Sequence, residues 1–563
     1  MKTLLQKLSL LNARTDVEQS MKPMAAKGIL LQANSLCKIL WLFCLCVFYS
    51  DELQAQTDVS GTIVNQTWTS NNSPYIVVGD INVAGLTILP GVTVQFASNY
   101  AFEVDGTLQA LGAVGLPIVF TGTNGGWQGL YFNYASPDCV LVECVIANSV
   151  NSGVRIETTT PSISACIISN NAALSSGRYG SGAGISTDSP LALSECSIIS
   201  NNVSSWYGYG AGIYSTAPLD LIDCTVSDNV INADSPGATS GNAAQSLGAG
   251  IWCSTNVTLQ SCRLVGNSSS AYSTGWYPIG EGGGVVCGGT LTVQNCIISG
   301  NSASAIVNVG PSSCAAYGGG VVTFQLLATN TIFDHNSSSA IPTPGAGGAS
   351  LSQGAAIYLN SAAQVVNCTI AYNTATANGG NPGVPEGSGI FSDGSTSTNV
   401  QILNSILWGG VPDQLYGSAT VNYCDVQGAQ VGVGNLNRNP VFLAETNLII
   451  VDGSPCVDAG STNAIYNDIC FPPSLGGPQN DMGAHGGPGA GARFFDLLIG
   501  QQFEVALTGA VPGYTYEIQA STNLVNWQTL EQIQVMEVGD ITNYLEPNIT
   551  AFPQRFYGLN LAP

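Results

Sequence analysis

From Cys166 to Gly410 the chain repeats one frame: a small residue, an aliphatic two positions on, and an asparagine three positions after that. The small residues are Cys166, Cys196, Cys224, Cys262, Cys296, Thr331, Cys368 and Ser405. The fifth position after each reads Asn171, Asn201, Asn229, Asn267, Asn301, Asn336, Asn373 and Gly410. Repeats of 28 to 38 residues are too short to bury a core alone, so successive copies have to stack and exclude water between them. This requirement restricts the chain to a solenoid.

A small-x-small triplet before an aliphatic marks each copy a second time: Gly182 to Ile185, Gly210 to Ile213, Gly248 to Ile251, Gly282 to Val285, Gly318 to Val321, Gly354 to Ile357 and Gly387 to Ile390. That aliphatic precedes the small-residue column by 11 residues in five of seven copies, whereas the stretch from asparagine to the next aliphatic runs from 12 to 22. Most length variation falls in one arc. Within the constant arc apolar residues alternate, as in Leu191, Leu193 and then Cys196, Ile198, the signature of strands with one face inward. Parity slips between the two pairs, which predicts a tight corner just before the small residue. Asn295, Asn330, Asn367 and Asn404 occupy that corner in successive copies. Asparagine tolerates the left-handed conformation a corner needs, and these amides are expected to bond their copies one rung away. Short strands, fixed corners and one variable arc describe an all-β, right-handed, single-stranded parallel β-helix.

Several segments resemble known families. Leu86-Thr-Ile-Leu-Pro-Gly-Val-Thr-Val-Gln-Phe96, Gly106-Thr-Leu-Gln-Ala110 and Pro117-Ile-Val-Phe-Thr121 look like the opening coils of secreted, pectin-lyase-like right-handed β-helix proteins. Gly-x-Gly-Ile followed by the Cys…Asn frame is similar to polymorphic outer-membrane-protein repeats. Asn404-Ser-Ile-Leu-Trp-Gly409, Gly453-Ser-Pro-Cys-Val-Asp-Ala-Gly460 and Asp481-Met-Gly-Ala484 resemble the closing segment of that class. Residues 493–563, with Tyr514-Thr-Tyr-Glu-Ile-Gln-Ala520, Trp527 and Arg555-Phe-Tyr557, resemble a small fibronectin-like β-sandwich, with Gly486 to Gly491 as linker. The expected organisation is a leader over 1–55, opening coils over 56–135, repeats over 136–435, a closing segment over 436–490 and the sandwich over 493–563.

The leader is read from six of the chain's twelve basic residues, which precede residue 40 and the apolar run Ile39 to Tyr49. Met21 and Met24 are alternative starts, and cleavage after Ala55 suits a small-residue requirement. The run is shorter than the ~20 residues a membrane span needs, so no stable insertion is expected once it is removed. Beyond Gln56 stand six arginines, no lysine and 31 acidic residues (35 less Asp16, Glu18, Asp51 and Glu52), a balance of 6 − 31 = −25. Such a surface disfavours nucleic acid. An extracellular or outer-surface location and a monomer are expected.

Export suggests disulfides, but rungs ~4.8 Å apart keep stacked Cβ atoms beyond the ~3.5 to 4.5 Å a disulfide prefers. The column cysteines are therefore read as small buried hydrophobes. Cys456 with Cys470, outside the column, is the expected disulfide, and Cys253 with Cys287 a second candidate.

Aromatics concentrate in the variable arc: Tyr179, Trp206, Tyr207, Tyr209, Tyr272, Trp276, Tyr277 and Tyr317. Flat rings amid Ser, Asn and Gly suit sugar rings, so Trp206, Tyr207, Tyr209, Tyr272, Trp276 and Tyr277 are the expected glycan-binding residues. The alternative is that these rings pack on one another and cover the sheet. Glu195 and Asp223 occupy the corner position in adjacent copies, expected ~5 Å apart, and are the candidate catalytic carboxylates. Asp220, Asp223 and Asp228 are the candidate calcium ligands, calcium being the only cofactor the pattern suits. No zinc spacing, nucleophile elbow or phosphate loop occurs. His335 and His485 read as structural. The expected role is a glycan-binding, adhesin-like or structural surface protein. The alternative is a polysaccharide lyase or glycoside hydrolase acting along a groove. The β-helix resemblance carries fold strongly and substrate weakly.

Overall fold

The computed structural model describes residues 56–561, except 124, 175–177, 236–242, 275–276, 308–312, 343–347, 379–382, 393–398, 470–472, 491–492, 500–501, 509–513, 522–525, 536–541 and 547–555. The expected leader lies outside these residues. Among them no helix is long and apolar enough to cross a membrane.

The repeat region is a right-handed β-helix in which each coil contributes five short strands. In one coil these are Ile185–Thr187, Leu191–Ser194, Ser197–Ile199, Asn202–Ser205 and Tyr207–Tyr209. Every strand pairs in parallel with its copy one coil on, as in Ile185↔Ile213, Leu191↔Leu219, Ser197↔Thr225, Asn202↔Val230 and Tyr207↔Gln245. Stacking these copies gives five strand lines, called sheets 1 to 5 in that order. Sheets 1 to 3 enclose the main core, and inward columns such as Leu193, Leu221, Leu259 and Val293 are buried. Ring packing fills the opening coils, where Phe96 stacks on Trp127 at 4.1 Å and Trp68 on Tyr75 at 4.5 Å.

The corner between sheets 2 and 3 takes the predicted left-handed backbone at every copy, including Glu195, Asp223, Asn295, Asn330, Asn367 and Asn404 (φ 57, 55, 54, 48, 49 and 51). The small-residue column next to it is buried throughout, with Thr331, Cys368 and Ser405 at 0 % exposure. Cys144 and Cys424 extend it at both ends.

The continuous asparagine ladder lies elsewhere than expected. The fifth-position asparagines bond their copies: Asn171 Nδ2 donates to Asn201 Oδ1 (3.1 Å), and the pattern continues through Asn229, Asn267, Asn301, Asn336 and Asn373 at 2.9 to 3.1 Å. Each amide also donates to a carbonyl of the preceding coil, and each Oδ1 but the first accepts the backbone N–H of the preceding asparagine. A Cβ on Gly250 would lie 3.1 Å from Asn267 Cγ and 2.5 Å from the Gly284 carbonyl oxygen, and Gly212 stands likewise against Asn229. The glycine triplet and the asparagine are thus two sides of one contact. The amide needs a neighbour without a side chain.

Three corner asparagines serve the closing segment instead. Asn404 Oδ1 accepts Ser461 N–H (2.8 Å), Asn367 Nδ2 donates to Asn480 Oδ1 and the Asp481 carbonyl (both 3.1 Å), and Asn330 Nδ2 donates to the carbonyls of Ala484 (3.1 Å) and Gly486 (2.6 Å). The segment therefore runs back along the coils, rung by rung. Its own turns are held by carboxylates: Asp481 accepts Asp458 N–H (2.8 Å) and Leu475 N–H (2.7 Å), and Asp458 accepts Gly477 N–H (2.9 Å). Those bonds give the two Asp-containing motifs their physical role.

The variable arc is mostly strand rather than loop. Sheets 4 and 5 pack face to face as a fin with a core of small residues, including Val203, Ile231, Ala233, Ala244 and Ala271. Hydroxyls bridge it, as where Ser269 Oγ donates to Ser246 Oγ (2.9 Å). Length varies in the segments that join the two sheets. Farther along the chain, strands from Arg493–Ile499 to Phe556–Leu561 form two three-stranded antiparallel sheets.

Candidate functional site

Alternation in sheet 1 sets the residue after each inward aliphatic on the outer face of the sheet, where Val322 and Phe391 are nonetheless covered. Its register runs Tyr131, Arg155, Ser186, Tyr214, Trp252, Val286, Val322, Tyr358, Phe391, Tyr416. Rungs ~4.8 Å apart place rings from neighbouring coils at stacking distance. Tyr214 and Trp252 stack at 4.8 Å and 6°, Tyr358 and Phe391 at 5.1 Å and 9°, and Phe391 and Tyr416 at 5.1 Å and 5°. The column holds two stacks of rings separated by two valines, with Phe391 buried between Tyr358 and Tyr416 in the second.

Beside the first stack opens a cleft of about 300 Å³, lined by Arg155, Glu157, Ser186, Thr187, Asp188 and Tyr214 among others. Arg155 pairs with Glu157, and its guanidinium lies over the Tyr131 ring at 4.6 Å. Tyr131 donates its hydroxyl proton to Glu157 Oε2 at 2.6 Å. Asp188 Oδ1 accepts Thr158 N–H (3.0 Å) and the Ser189 hydroxyl (2.9 Å). Desolvation and the Glu157 bond push the Tyr131 hydroxyl up to about 12. The Tyr131 hydrogen bond, with Arg155 adding to it, holds Glu157 below the ordinary carboxylate range. Glu157 is thus an ionised acceptor, the opposite of what a general acid at neutral pH requires.

The residues expected from sequence are dispersed. Glu195 and Asp223 do stand on adjacent rungs at left-handed corners, but neither lines the cleft. Asp220 points outward from sheet 2, Asp223 sits at the corner after it and Asp228 at the corner after sheet 3. Among the described residues no three carboxylates, thiols or imidazoles gather closely enough to hold a metal. The three aspartates thus do not form the expected cation cluster, because consecutive corners point them to different sides.

The expected aromatic set is split by the fin. Tyr207 stacks on Tyr179 at 5.2 Å on the outer face of sheet 5. Tyr209, in the same sheet, lies edge-on to Trp252 at 5.5 Å. Tyr272 belongs to sheet 4, on the opposite side. Trp206 sits at the turn between the sheets with the Arg178 guanidinium 5.3 Å from its ring. Tyr277 hydrogen-bonds Tyr317, and Trp276 lies outside the described residues. Ring-on-ring packing therefore accounts for much of this set. The floor rings Tyr214, Trp252, Tyr358 and Phe391 were not singled out from sequence, yet each follows its aligned aliphatic directly. Period-two alternation carried one step beyond the triplet reaches them.

The expected Cys456–Cys470 disulfide is not formed. Cys456 is a free, buried thiol donating to Asp425 Oδ2 at 3.3 Å, and Cys470 lies outside the described residues. Cys253 and Cys287 stack in register but are also free. His485 is half-buried, desolvation lowers it to about 4, and it does not line the cleft.

The profile of the family described as "Right handed beta helix region" matches residues 118–321. No curated protein and no solved structure shows detectable similarity to the chain. The profile match and the stacked parallel rungs agree on a right-handed β-helix.

Proposed function

We propose that this β-helix protein binds glycan chains along the outward face of sheet 1, as an exported extracellular or cell-surface protein. The observation that carries the reading is the stacked Tyr214–Trp252 pair, whose Tyr214 lines the 300 Å³ cleft. Parallel, stacked rings form an apolar strip along the sheet against which the apolar face of a sugar can lie, while Arg155, Glu157, Asp188 and the hydroxyls of Ser186 and Thr187 supply donors and acceptors for its edge. The second stack at Tyr358, Phe391 and Tyr416 lies three rungs beyond Trp252, ~14 Å, a span that suits an extended chain over a single sugar. Calcium has no role in this reading.

Titration of tryptophan fluorescence against a polysaccharide panel tests it. Trp252→Ala removes one stacking platform, worth ~1.4 kcal/mol, and is expected to weaken binding about tenfold. Unchanged affinity in Trp252→Ala and Tyr214→Ala, or no glycan bound by the parent protein, would sink the reading. Release of reducing ends or unsaturated products would show that the same face is catalytic.

A further inference from the structure

Sheet 5 turns into sheet 1 at a left-handed glycine, so the last residue of each sheet 5 strand faces the outward column of sheet 1. Ring contacts show this on both sides of one gap. Tyr209 lies 6.4 Å from Tyr214 and 5.5 Å from Trp252, and Tyr317 lies 4.9 Å from Tyr358. Between these clusters the wall position is Glu281, registered with Leu247 on one side and Tyr317 on the other. The floor opposite holds the half-buried Val286 and the buried Val322, with Trp252 and Tyr358 as the rungs beyond them. Where Tyr209 and Tyr317 meet rings of the floor, this position sets a carboxyl against two valines. The result is a notch two rungs wide, ~10 Å.

Wall and floor meet directly beneath the carboxyl, since a Cβ on Gly282 would come 2.4 Å from Val286 Cγ2. The Glu281 backbone carbonyl accepts the Ser269 hydroxyl at 3.0 Å, but among the described residues no side chain or backbone N–H donates to its carboxylate. Burial alone raises Glu281 to about 7. A lone carboxyl in an apolar, aromatic corner lacks the counter-charge that would offset its desolvation.

We infer that the notch holds the protonated amine of an amino sugar in the bound glycan, with the ammonium on the Glu281 carboxylate and the sugar face against Trp252 or Tyr358. Aromatic rings around an ammonium favour it further through their quadrupoles, and a chain of net charge −23 attracts cationic polymers. The inference rests on the glycan reading above, and specifies which glycan.

Calorimetric titration with a glucosamine oligosaccharide, its N-acetylated counterpart and a neutral glucan of equal length separates the two. The parent protein is expected to prefer the free amine over the acetylated form at least tenfold. Glu281→Gln should bring that ratio close to one and leave neutral glucan binding unchanged. Val286→Trp, which fills the notch and keeps the carboxyl, should abolish the preference as well, and serves if Glu281→Gln fails to fold. A parent ratio near one, or a ratio that survives both substitutions, overturns the notch while glycan binding itself stands. Absence of binding to all three oligosaccharides overturns both.

Discussion

Asn267 stands in the middle of the amide ladder, and removing its side chain tests whether that ladder or the cysteine column holds the coils in register. Its Nδ2 donates to the Val226 carbonyl and to Asn301 Oδ1, both at 2.9 Å, and its Oδ1 accepts Asn229 N–H (3.1 Å) and Asn229 Nδ2 (3.0 Å). The residue is fully buried. After Asn267→Ala, Asn229 Nδ2 keeps the Ile198 carbonyl at 2.9 Å, and Asn301 Oδ1 keeps the backbone N–H of residue 267 at 3.0 Å. The buried Asn229 N–H loses its partner, while the Val226 carbonyl loses the amide but stays in the parallel ladder with the next coil. At ~1–3 kcal/mol for the orphaned N–H and ~1 kcal/mol for the lost amide bonds, the substitution should cost about 3 kcal/mol. Asn267→Asp preserves volume yet sets an acceptor against the Val226 carbonyl and Asn301 Oδ1, and should cost at least as much at neutral pH. Stability in a solenoid is a sum over rungs and interfaces, so the guanidinium transition followed by circular dichroism should split, with coils on either side of residue 267 melting separately. Asn232→Ala, exposed on sheet 4, is the control and should change stability by no more than ~0.5 kcal/mol. A cost for Asn267→Ala below ~1 kcal/mol, or equal to that of the control, would refute the assignment of register to the amide ladder.

The thirteen described cysteines are free and buried, and burial pushes Cys368 and Cys424 up to about 12. A thiol-exchange reagent at pH 8 should therefore leave them unmodified in the native protein and label all of them in guanidinium; a peptide map with Cys166 bridged to Cys196 would contradict rung geometry. Burial raises Asp468 to about 7, Asp481 to about 6 and Glu281 to about 7. Each folded pKa lies above its unfolded value, so the stability these groups confer is complete below ~4 and is lost as pH rises through about 6 to 7. His485, lowered to about 4, acts oppositely, its share being lost as pH falls from ~6.5 towards 4. Three acids against one imidazole predict a higher melting temperature at pH 5 than at pH 7.5, with a flatter profile in Glu281→Gln; a midpoint that climbs from pH 5 to 7.5 would contradict the sign.

Repeat spacing, alternation and corner chemistry were legible in the sequence because each is set within one coil. A small residue at Cys196, a left-handed corner at Glu195 and strands on either side follow from local sterics and the period of two, and all three are present. The cysteines could be read as packing because rung spacing alone disfavours bridging neighbours. Which asparagine column forms the ladder was not legible. Asn367 and Asn373 are both placed to bond a copy, and the choice was made by the closing segment, which occupies Asn367 from more than 100 residues away in the chain. Likewise Trp206, Tyr207 and Tyr272 lie close in the repeat frame yet fall on an edge and two opposite faces, because the arc between them folds into paired sheets.

What the sequence determined by itself is the architecture: a repeat that cannot bury its own core has to stack, and its period sets the strands and corners of each rung. Only the tertiary structure decided what faces what. It set Tyr214 on Trp252, joined Arg155, Glu157 and Asp188 around one cleft, and left Glu281 opposite two valines. Those partners come from different coils, and the distance between them depends on register and on how the fin meets sheet 1, which no single repeat encodes.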